Sequence, residues 1–244
     1  MQAMSYLEHE APVSLSRWVE CSWERTGGPG DDTRARIVPD GCMDLIWSGA
    51  GELVVVGPNT TAFLAPLPPG ASSLGVRLHP GAAPPLFGVP APALRDARVP
   101  AADVWGDLGA RLEEEVGEAA DARRRRALLL GWLARRARAG GRPDPLVRAA
   151  AERLAAGRHP GVAGLAGELA VSERHLRRLV IDQVGYGPKR LERVLRLRRA
   201  IARVREGGAL AEVAFEAGYA DQAHFGNECR ALAGVTPSVF SKTP

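Results

Sequence analysis

The spacing of hydrophobic residues changes along this chain and divides it into two parts. Up to about residue 79, apolar residues form short runs between turn-forming residues, whereas from Val104 onward they recur every three or four positions. The first pattern is typical of short β-strands and the second of amphipathic α-helices. The chain is therefore predicted to be an α+β protein, with a β-rich N-terminal domain and an all-helical C-terminal domain.

The β-rich part is predicted to be a small antiparallel barrel or sandwich. A longer strand is expected within residues 15–25, and a short helix is expected from Pro80 to Phe87. Residues 1–13 show little periodicity, and the Pro-rich and Ala-rich residues 89–100 are expected to be irregular. Shorter strands at regular spacing complete the prediction: residues 34–38, 42–47, 53–56, 62–67 and 74–79.

Two amphipathic helices are predicted within residues 104–138, and the Gly140-Gly141-Arg142-Pro143 segment after them is a linker. The predicted domains are therefore 1–140 and 144–244. The apolar stripe of the helix pair is a candidate dimer surface. The Arg123–Arg126 run favours a solvated helical face over a DNA contact.

Residues 165–179 predict a helix, a tight turn and a second helix that Ser172 can cap. Leu176, Leu179 and Val180 would be the buried face of the second helix. Arg174, Arg177 and Arg178 share the opposite face, where guanidinium groups could pair with guanine in a major groove. A merely solvated basic face is the alternative, and the turn favours DNA.

The same arrangement recurs at residues 210–225, with Gly218 at the turn and Asp221 as the cap of the second helix. Gln222, Ala223, His224 and Asn227 would face outward, and Gln and Asn side chains can read adenine. A long helix over residues 189–205 would hold the two units apart. Its length of roughly 25 Å is comparable with one DNA turn, about 34 Å.

Charge supports a nucleic-acid partner for the C-terminal part. Residues 142–244 contain 17 Lys and Arg against 11 Asp and Glu, whereas the rest of the chain contains 15 against 17. A basic half beside a slightly acidic half is typical of a phosphate-binding surface. Three widely spaced cysteines, no signal pattern and no long apolar run indicate a cytoplasmic protein without disulfides or membrane spans.

The C-terminal part resembles the AraC/XylS-type transcription regulators. The resemblance rests on residues 165–179 with Gly185 and Pro188, and on residues 214–240, which include Gly218-Tyr219, Asp221-Gln222, His224-Phe225 and Gly234-Val235-Thr236-Pro237-Ser238. It implies two helix-turn-helix units that bind adjacent major-groove segments. The DNA contacts carried over by position, together with the capping and neighbouring residues, are Ser172, Arg174, His175, Arg177, Arg178, Gln222, Ala223, His224 and Asn227.

The chain departs from this family pattern in its second unit. Asn227-Glu228 stands where the family usually has a basic residue, and Ser241 stands where Arg commonly follows an aromatic residue. Both changes remove positive charge from the second unit. The first unit is therefore predicted to dominate the affinity for DNA.

The N-terminal part is similar to an uncharacterised domain often found ahead of such DNA-binding domains, on residues 36–47, 56–58 and 74–81. The resemblance implies a regulatory module without naming its ligand. Phe87 and other aromatic residues could line an apolar cavity, although aromatic residues fill cores as often as pockets. The candidate effector-pocket residues are Trp18, Trp23, Asp40, Cys42, Asp44, Trp47 and Phe63.

Asp40, Cys42 and Asp44 alternate along one predicted strand, but one thiolate and two carboxylates make a poor transition-metal site. Roles in a turn, in packing and in an ion pair are favoured instead, and no metal, catalytic residue or cofactor is predicted. The predicted function is that of a DNA-binding transcription regulator with a small-molecule effector. Its candidate partners are promoter DNA, RNA polymerase and a second copy of the chain. A small-barrel enzyme or a Cys42 thiol redox sensor, fused to a DNA-binding domain, is the alternative.

Overall fold

The computed structural model describes residues 5–28, 34–157 and 161–242, and its N-terminal part is built on two antiparallel sheets. Six strands form the main sheet in the order β1-β2-β7-β4-β5-β8, and β3 pairs with β6. The strands are β1 Ser5–Glu10, β2 Val19–Thr26, β3 Ala35–Ile37, β4 Met43–Trp47, β5 Leu53–Val56, β6 Phe63–Ala65, β7 Ser72–Leu78 and β8 Arg98–Pro100. The predicted α+β class with an antiparallel β-rich domain is confirmed.

Helices cover one face of the main sheet. Side chains alternate between the two faces of a strand, and Leu45, Val55 and Val76, which point to the same face, are fully buried. The helices of this layer are α1 Ala83–Phe87, α2 Ala101–Trp105, α3 Asp107–Gly117 and α4 Ala122–Arg138. The apolar stripes of α3 and α4 belong to the same core as the sheet. These stripes are covered by their own domain except at Leu108, which is exposed, so the contacts do not favour the predicted dimer surface.

Two strands lie where the sequence predicted no regular structure. β1 is an edge strand whose residues are almost all exposed, so it has no alternating apolar pattern. β8 is three residues long, ends at Pro100 and forms the opposite edge, where the lack of a proline N–H is tolerated. The start of the predicted strand at residues 15–25 is a short 3-10 turn, Val13–Leu15, ahead of β2.

The C-terminal part is all-helical, as predicted. Its helices are α5 Pro145–Ala156, α6 Gly161–Glu168, α7 Glu173–Val184, α8 Pro188–Arg205, α9 Leu210–Ala217 and α10 Gln222–Ala233, followed by a 3-10 turn at Pro237–Lys242. One continuous hydrophobic core joins α5 to α10. Because α8 contributes eight buried residues along its 18-residue length, it is the common support of both helix-turn-helix units.

Candidate nucleic-acid interface

The first helix-turn-helix unit consists of α6, a turn at residues 169–171 and α7. Ser172 caps α7, since its Oγ accepts a hydrogen bond from the backbone N–H of His175 at 3.2 Å. Gly185 ends the helix in the left-handed conformation, with φ of 93°. Leu176 and Val180 are fully buried against the shared core. This burial fixes the rotation of α7 about its axis and turns the opposite face outward.

The outward face of α7 carries the predicted arginines. Arg174, Arg177 and Arg178 are exposed, and within the described ranges none of them is paired with a carboxylate. They line an open concavity of about 660 Å³ together with Pro92, Ser172, His175, Ile181 and Asp182. Arg178 also lies within 3.3 Å of the His175 ring. Several cationic donors on one exposed helical face suit phosphates and the edges of guanine.

The second unit consists of α9, a turn at residues 218–220 and α10. Asp221 caps α10 by accepting a 2.6 Å hydrogen bond from the N–H of His224. Phe225 and Cys229 are fully buried, whereas Gln222, Ala223, His224 and Asn227 are exposed. The ring of His224 folds back on its own turn, where Nδ1 accepts a hydrogen bond from the N–H of Ala220 at 3.3 Å. Gln222 is left as the freest polar side chain of this face.

One exposed cation of the second unit was missed from the sequence. Arg230 lies one turn beyond Asn227 on α10, and its Nη2 donates a 2.6 Å hydrogen bond to Asn227 Oδ1. The signal was the spacing of three between the two residues, which places them side by side on a helix. Arg230 restores some positive charge to the second unit.

Two segments of the chain match known domain families. Residues 165–243 match a helix-turn-helix domain, and residues 7–100 match a domain of unknown function (DUF6597). The C-terminal region is an AraC-type helix-turn-helix domain. This match supports a DNA-binding transcription regulator.

Similar solved structures include regulators from two bacteria. A probable AraC family transcriptional regulator from Rhodopseudomonas palustris is 22% identical, covers 41% of this chain and 96% of its own, and gives a TM-score of 0.36. ToxT from Vibrio cholerae is 9% identical over 97% of both chains, with a TM-score of 0.49. ToxT bound to an unsaturated fatty acid is 11% identical over 99% of this chain and 97% of its own, with a TM-score of 0.46. No curated protein matches the chain significantly.

Glu228 does not lie on the exposed face of α10 that carries Gln222 and Asn227. Its side chain is buried and accepts hydrogen bonds from Arg193 Nε at 2.8 Å and from Arg196 Nη2 at 2.8 Å, both on α8. Burial alone would raise the pKa of Glu228, but the two guanidinium groups outweigh burial and lower it. The charge of Glu228 is therefore neutralised inside the domain, and Asn227 is the residue of this pair that lies on the exposed face.

The candidate effector-pocket residues fall into separate places in the N-terminal domain. Trp47 lies on the helix-covered face and belongs to the main core. Trp18 donates a 2.6 Å hydrogen bond to the carbonyl of Gly141 in the linker. Phe63, on β6, packs under the guanidinium of Arg98 at 3.3 Å from the ring centroid. The remaining four, Trp23, Asp40, Cys42 and Asp44, come together around Arg77.

Arg77 is the centre of a polar network on the second face of the main sheet. Its Nε lies 3.3 Å from Asp40 and 3.6 Å from Asp44, contacts that are ionic rather than well-aligned hydrogen bonds. Trp23 Nε1 donates to Asp44 Oδ1 at 2.8 Å. Burial raises the pKa of Asp44, and the charge of Arg77 opposes that effect. The predicted turn, packing and ion-pair roles of these residues are the ones the contacts describe.

Cys42 is fully packed in the same region. Its N–H donates to Asp40 Oδ1 at 2.9 Å and its thiol donates to Glu20 at 3.1 Å. Burial raises the pKa of the thiol well above its ordinary value, so the reactive thiolate is disfavoured. These contacts do not favour a redox role for Cys42.

The network continues from the N-terminal sheet to the AraC-type domain. Glu20 forms an ion pair with Arg198 on α8 and also accepts the hydrogen bond of the Cys42 thiol. Burial would raise the pKa of Glu20, but its hydrogen bond with Arg198 lowers it. A series of polar contacts thus joins the second face of the sheet to α8, the helix that supports both helix-turn-helix units.

Two absences hold for the part of the chain that the structure describes. In residues 5–28, 34–157 and 161–242, no group of three or more His, Cys, Asp or Glu side chains is arranged to hold a metal ion. Among those same residues, no helix is long and apolar enough to cross a membrane.

Proposed function

We propose that the chain is a sequence-specific promoter-binding regulator that places α7 and α10 in adjacent major-groove segments of one DNA duplex. The observation that carries this proposal is the exposed cluster of Arg174, Arg177 and Arg178 on α7, which has no carboxylate partner among the described residues. The 18-residue helix α8 spans about 27 Å. This length suits two helix-turn-helix units, called the two heads below, that read successive turns on one side of the duplex.

The two heads have different chemical roles in this proposal. Arg174, Arg177 and Arg178 contact guanine and the flanking phosphates, with Ser172 and His175 at the edge of the same surface. In the second head, Gln222 reads adenine, while Ala223, His224 and Asn227 lie against the groove. The first head supplies most of the affinity because its charged contacts release more counterions from DNA.

Selection from a randomised double-stranded DNA library tests this proposal directly. The full chain should enrich sequences with two conserved blocks about one helical turn apart, and footprinting should protect both blocks. Arg177→Ala should weaken binding by about thirtyfold and lose the preference at one position of the first block. The matched control is Arg111→Ala, which removes an exposed arginine from α3 in the other domain. Equal losses for the two variants would count against base reading by α7.

We further propose that the N-terminal domain senses a small hydrophobic or aromatic effector through the second face of its main sheet. The contacts from Trp23 through Asp44 and Arg77, and from Cys42 through Glu20 to Arg198, support this step. Asp40 links the two sets, because it contacts Arg77 and accepts a hydrogen bond from the N–H of Cys42, so a ligand near Trp23 would have a continuous path of contacts to α8. Coupling requires that the ligand bind two arrangements of this network with different affinity.

A panel of small hydrophobic and aromatic compounds tests the effector step separately from DNA binding. A true effector should raise the melting temperature of the full chain and change its affinity for the selected DNA. Trp23→Ala should abolish both responses but leave DNA binding without the compound intact. If no compound altered either quantity, the effector step would fail while the DNA-binding proposal stood.

A further inference from the structure

The carboxyl ends of both recognition helices are held by arginines of the N-terminal domain. Arg95 Nη1 donates to the carbonyl of Gly185 at 3.3 Å, at the end of α7. Arg36 Nη1 donates to the carbonyl of Ala233 at 3.0 Å, at the end of α10. The last carbonyls of a helix lack partners within it and carry partial negative charge. Each arginine therefore satisfies an acceptor that the helix itself leaves open.

A single loop of the N-terminal domain joins these two helix ends. It consists of residues 58–62, within the connection from β5 to β6 at residues 57–62. Pro58 packs so closely on Gly185 that an added Cβ there would lie 2.6 Å from the proline ring. At the other end of the loop, the N–H of Ala62 donates to the carbonyl of Leu232 at 2.7 Å, in the last turn of α10.

The middle of the loop is attached to the helix between the two heads. Arg190 Nη2, in the first turn of α8, donates to the carbonyl of Thr60 at 2.8 Å. The loop thus contacts the end of α7, the start of α8 and the end of α10. Contacts at three helices restrict how the two units can move relative to one another.

Asp96 holds the loop in this conformation. Its carboxylate accepts hydrogen bonds from the N–H of Thr60 at 2.6 Å and from its hydroxyl at 2.8 Å, while its own N–H donates to the carbonyl of Pro58 at 3.1 Å. The backbone of Asp96 is left-handed, with φ of 57°. A non-glycine residue keeps that conformation only where its surroundings favour it, and these three hydrogen bonds do so.

We propose that one group of residues, the spacing clamp, fixes the separation and orientation of α7 and α10 and so sets the base-pair spacing that the chain accepts. The spacing clamp consists of Arg36, Arg95, Asp96 and residues 58–62. This inference rests on the proposed function, because it requires both heads to read one duplex. Helix α8 is the first connection between the heads, and the clamp is a second connection on the N-terminal domain.

The positions of these contacts separate the clamp from the reading surface. The clamp binds the carboxyl ends of α7 and α10, whereas the predicted base contacts lie in the first two turns of those helices. Both units also remain joined through the shared core around α8. Loss of the clamp should therefore leave each head folded and able to read its own block, while the distance between the blocks becomes less strictly defined.

The test is DNA selection with the full chain, followed by affinity measurements on duplexes whose two blocks are moved apart or together by one base pair. The wild type should lose about tenfold in affinity at the wrong spacing, a factor that one charged hydrogen bond can supply. Asp96→Ala and the double variant Arg36→Ala/Arg95→Ala should lose about twofold or less at that spacing, within the range of a single weak interaction. The conservative Asp96→Asn variant should restore part of the discrimination, since its amide oxygen can still accept from Thr60.

The outcomes separate the clamp from the proposed function. If the wild type enriches no pair of blocks, the proposed two-head reading fails and the clamp fails with it. If the wild type enriches two blocks and all variants keep its spacing preference, the clamp alone is overturned. Arg111→Ala serves as the charge-matched control and should keep the wild-type preference. If Asp96→Ala does not fold, the single variants Arg36→Ala and Arg95→Ala give the same comparison.

Discussion

The two helix-turn-helix units have nearly the same backbone but different exposed surfaces. In both, a 12-residue recognition helix begins at a side-chain cap and ends at a left-handed glycine. The exposed face of α7 carries three arginines that have no carboxylate partner in the described part of the chain, whereas that of α10 carries Gln222, Asn227 and the Asn227-bound Arg230. Caps and buried residues thus determine the fold of a unit, and its exposed residues can change independently to determine what it reads.

The units also differ in how they are attached to α8. In the second unit, Tyr219 is buried in the turn, stacks on Phe225 at 5.0 Å and lies under the guanidinium of Arg196 at 4.5 Å. Arg196 also binds Glu228, so an aromatic and ionic contact joins α10 to α8. The first unit places the apolar Val171 at the corresponding point of its turn. The second unit therefore depends more on buried polar contacts for its stability.

Of the variants that compare the two units, Glu228→Ala should cause the largest loss of unfolding free energy. It leaves Arg193 and Arg196 without their carboxylate beside a buried tyrosine, and removal of one partner of a buried ion pair costs about 3 kcal/mol. Urea unfolding of the full chain measures this cost, and hydrogen exchange should locate the loss in α10 rather than α7. Arg148→Ala, which breaks the exposed pair with Glu152, is the control and should cost less than about 0.5 kcal/mol. Equal costs would mean that the Glu228 contact does not anchor the second unit.

The pH dependence of the same contact provides a second measurement. Because its partners lower the pKa of Glu228 below the ordinary value of 4.5, the native state stabilises the charged form. Its contribution to stability is complete above pH 4.5 and is lost as the pH falls through the lowered pKa. Unfolding free energies measured from pH 6 down to about pH 3 should therefore fall less steeply for Glu228→Gln than for the wild type. The same slope in both proteins would contradict the assignment of the lowered pKa.

Arg177→Ala and Gln222→Ala compare the two heads as readers of DNA. Loss of a bidentate guanine contact should cost Arg177→Ala about 2 kcal/mol of binding free energy, and Gln222→Ala should cost about 1 kcal/mol. The salt dependence of binding should become weaker only for the arginine variant, because only that variant removes a cation. Affinities for the selected DNA at several salt concentrations provide both values. If Gln222→Ala weakened binding as much as Arg177→Ala, the first head would not dominate.

Most of the helical architecture could be predicted from the sequence because its signals are local. Helix ends are marked by the conformational and capping preferences of single residues, which neighbouring domains do not change. The residues that mark them here are Ser172, Asp221, Gly185 and Gly218. The orientation of Glu228 could not be predicted so easily. Its burial depends on contacts with Arg193 and Arg196 of α8, which lie more than 30 residues away along the chain.

The N-terminal domain was less predictable because its contacts are long-range. Alternation placed Asp40, Cys42 and Asp44 together, but no local signal indicated that Arg77 would lie among them. The aromatic residues offered no sign of which face of the sheet each would occupy, and Trp47 lies on the face opposite Asp44. The edge strand β1 lacks an apolar pattern because neither of its faces is well buried.

The caps of the two recognition helices should differ modestly in strength. Asp221 accepts a 2.6 Å hydrogen bond and its charge also favours the amino end of α10, whereas Ser172 is neutral and its hydrogen bond is 3.2 Å. Asp221→Ala should therefore cost about 1.5 kcal/mol and Ser172→Ala about 1 kcal/mol of unfolding free energy. Thermal unfolding of both variants in low and high salt measures the difference, which should shrink in high salt. A larger cost for Ser172→Ala would reverse the order expected from charge.

The smallest expected effect concerns the turns themselves. Ala170 has φ of 56° and Gly218, at the corresponding place in the second unit, has φ of 84°. The left-handed conformation destabilises an L-residue by roughly 1–2 kcal/mol. Glycine avoids this strain, but its greater conformational entropy in the unfolded chain lowers stability by about 0.4–1 kcal/mol. Ala170→Gly should therefore stabilise the chain by about 0.5 kcal/mol, and Gly218→Ala should destabilise it by a similar amount.

The Gly218→Ala variant isolates backbone strain from packing. An added Cβ at Gly218 would meet no atom within 4 Å, so steric overlap cannot account for a loss of stability. Opposite changes of similar size in the two variants, measured by urea unfolding, would show that the turns share one backbone requirement. If both variants were destabilised, Ala170 would have to make a methyl contact that outweighs its strain, and the two turns would not be equivalent.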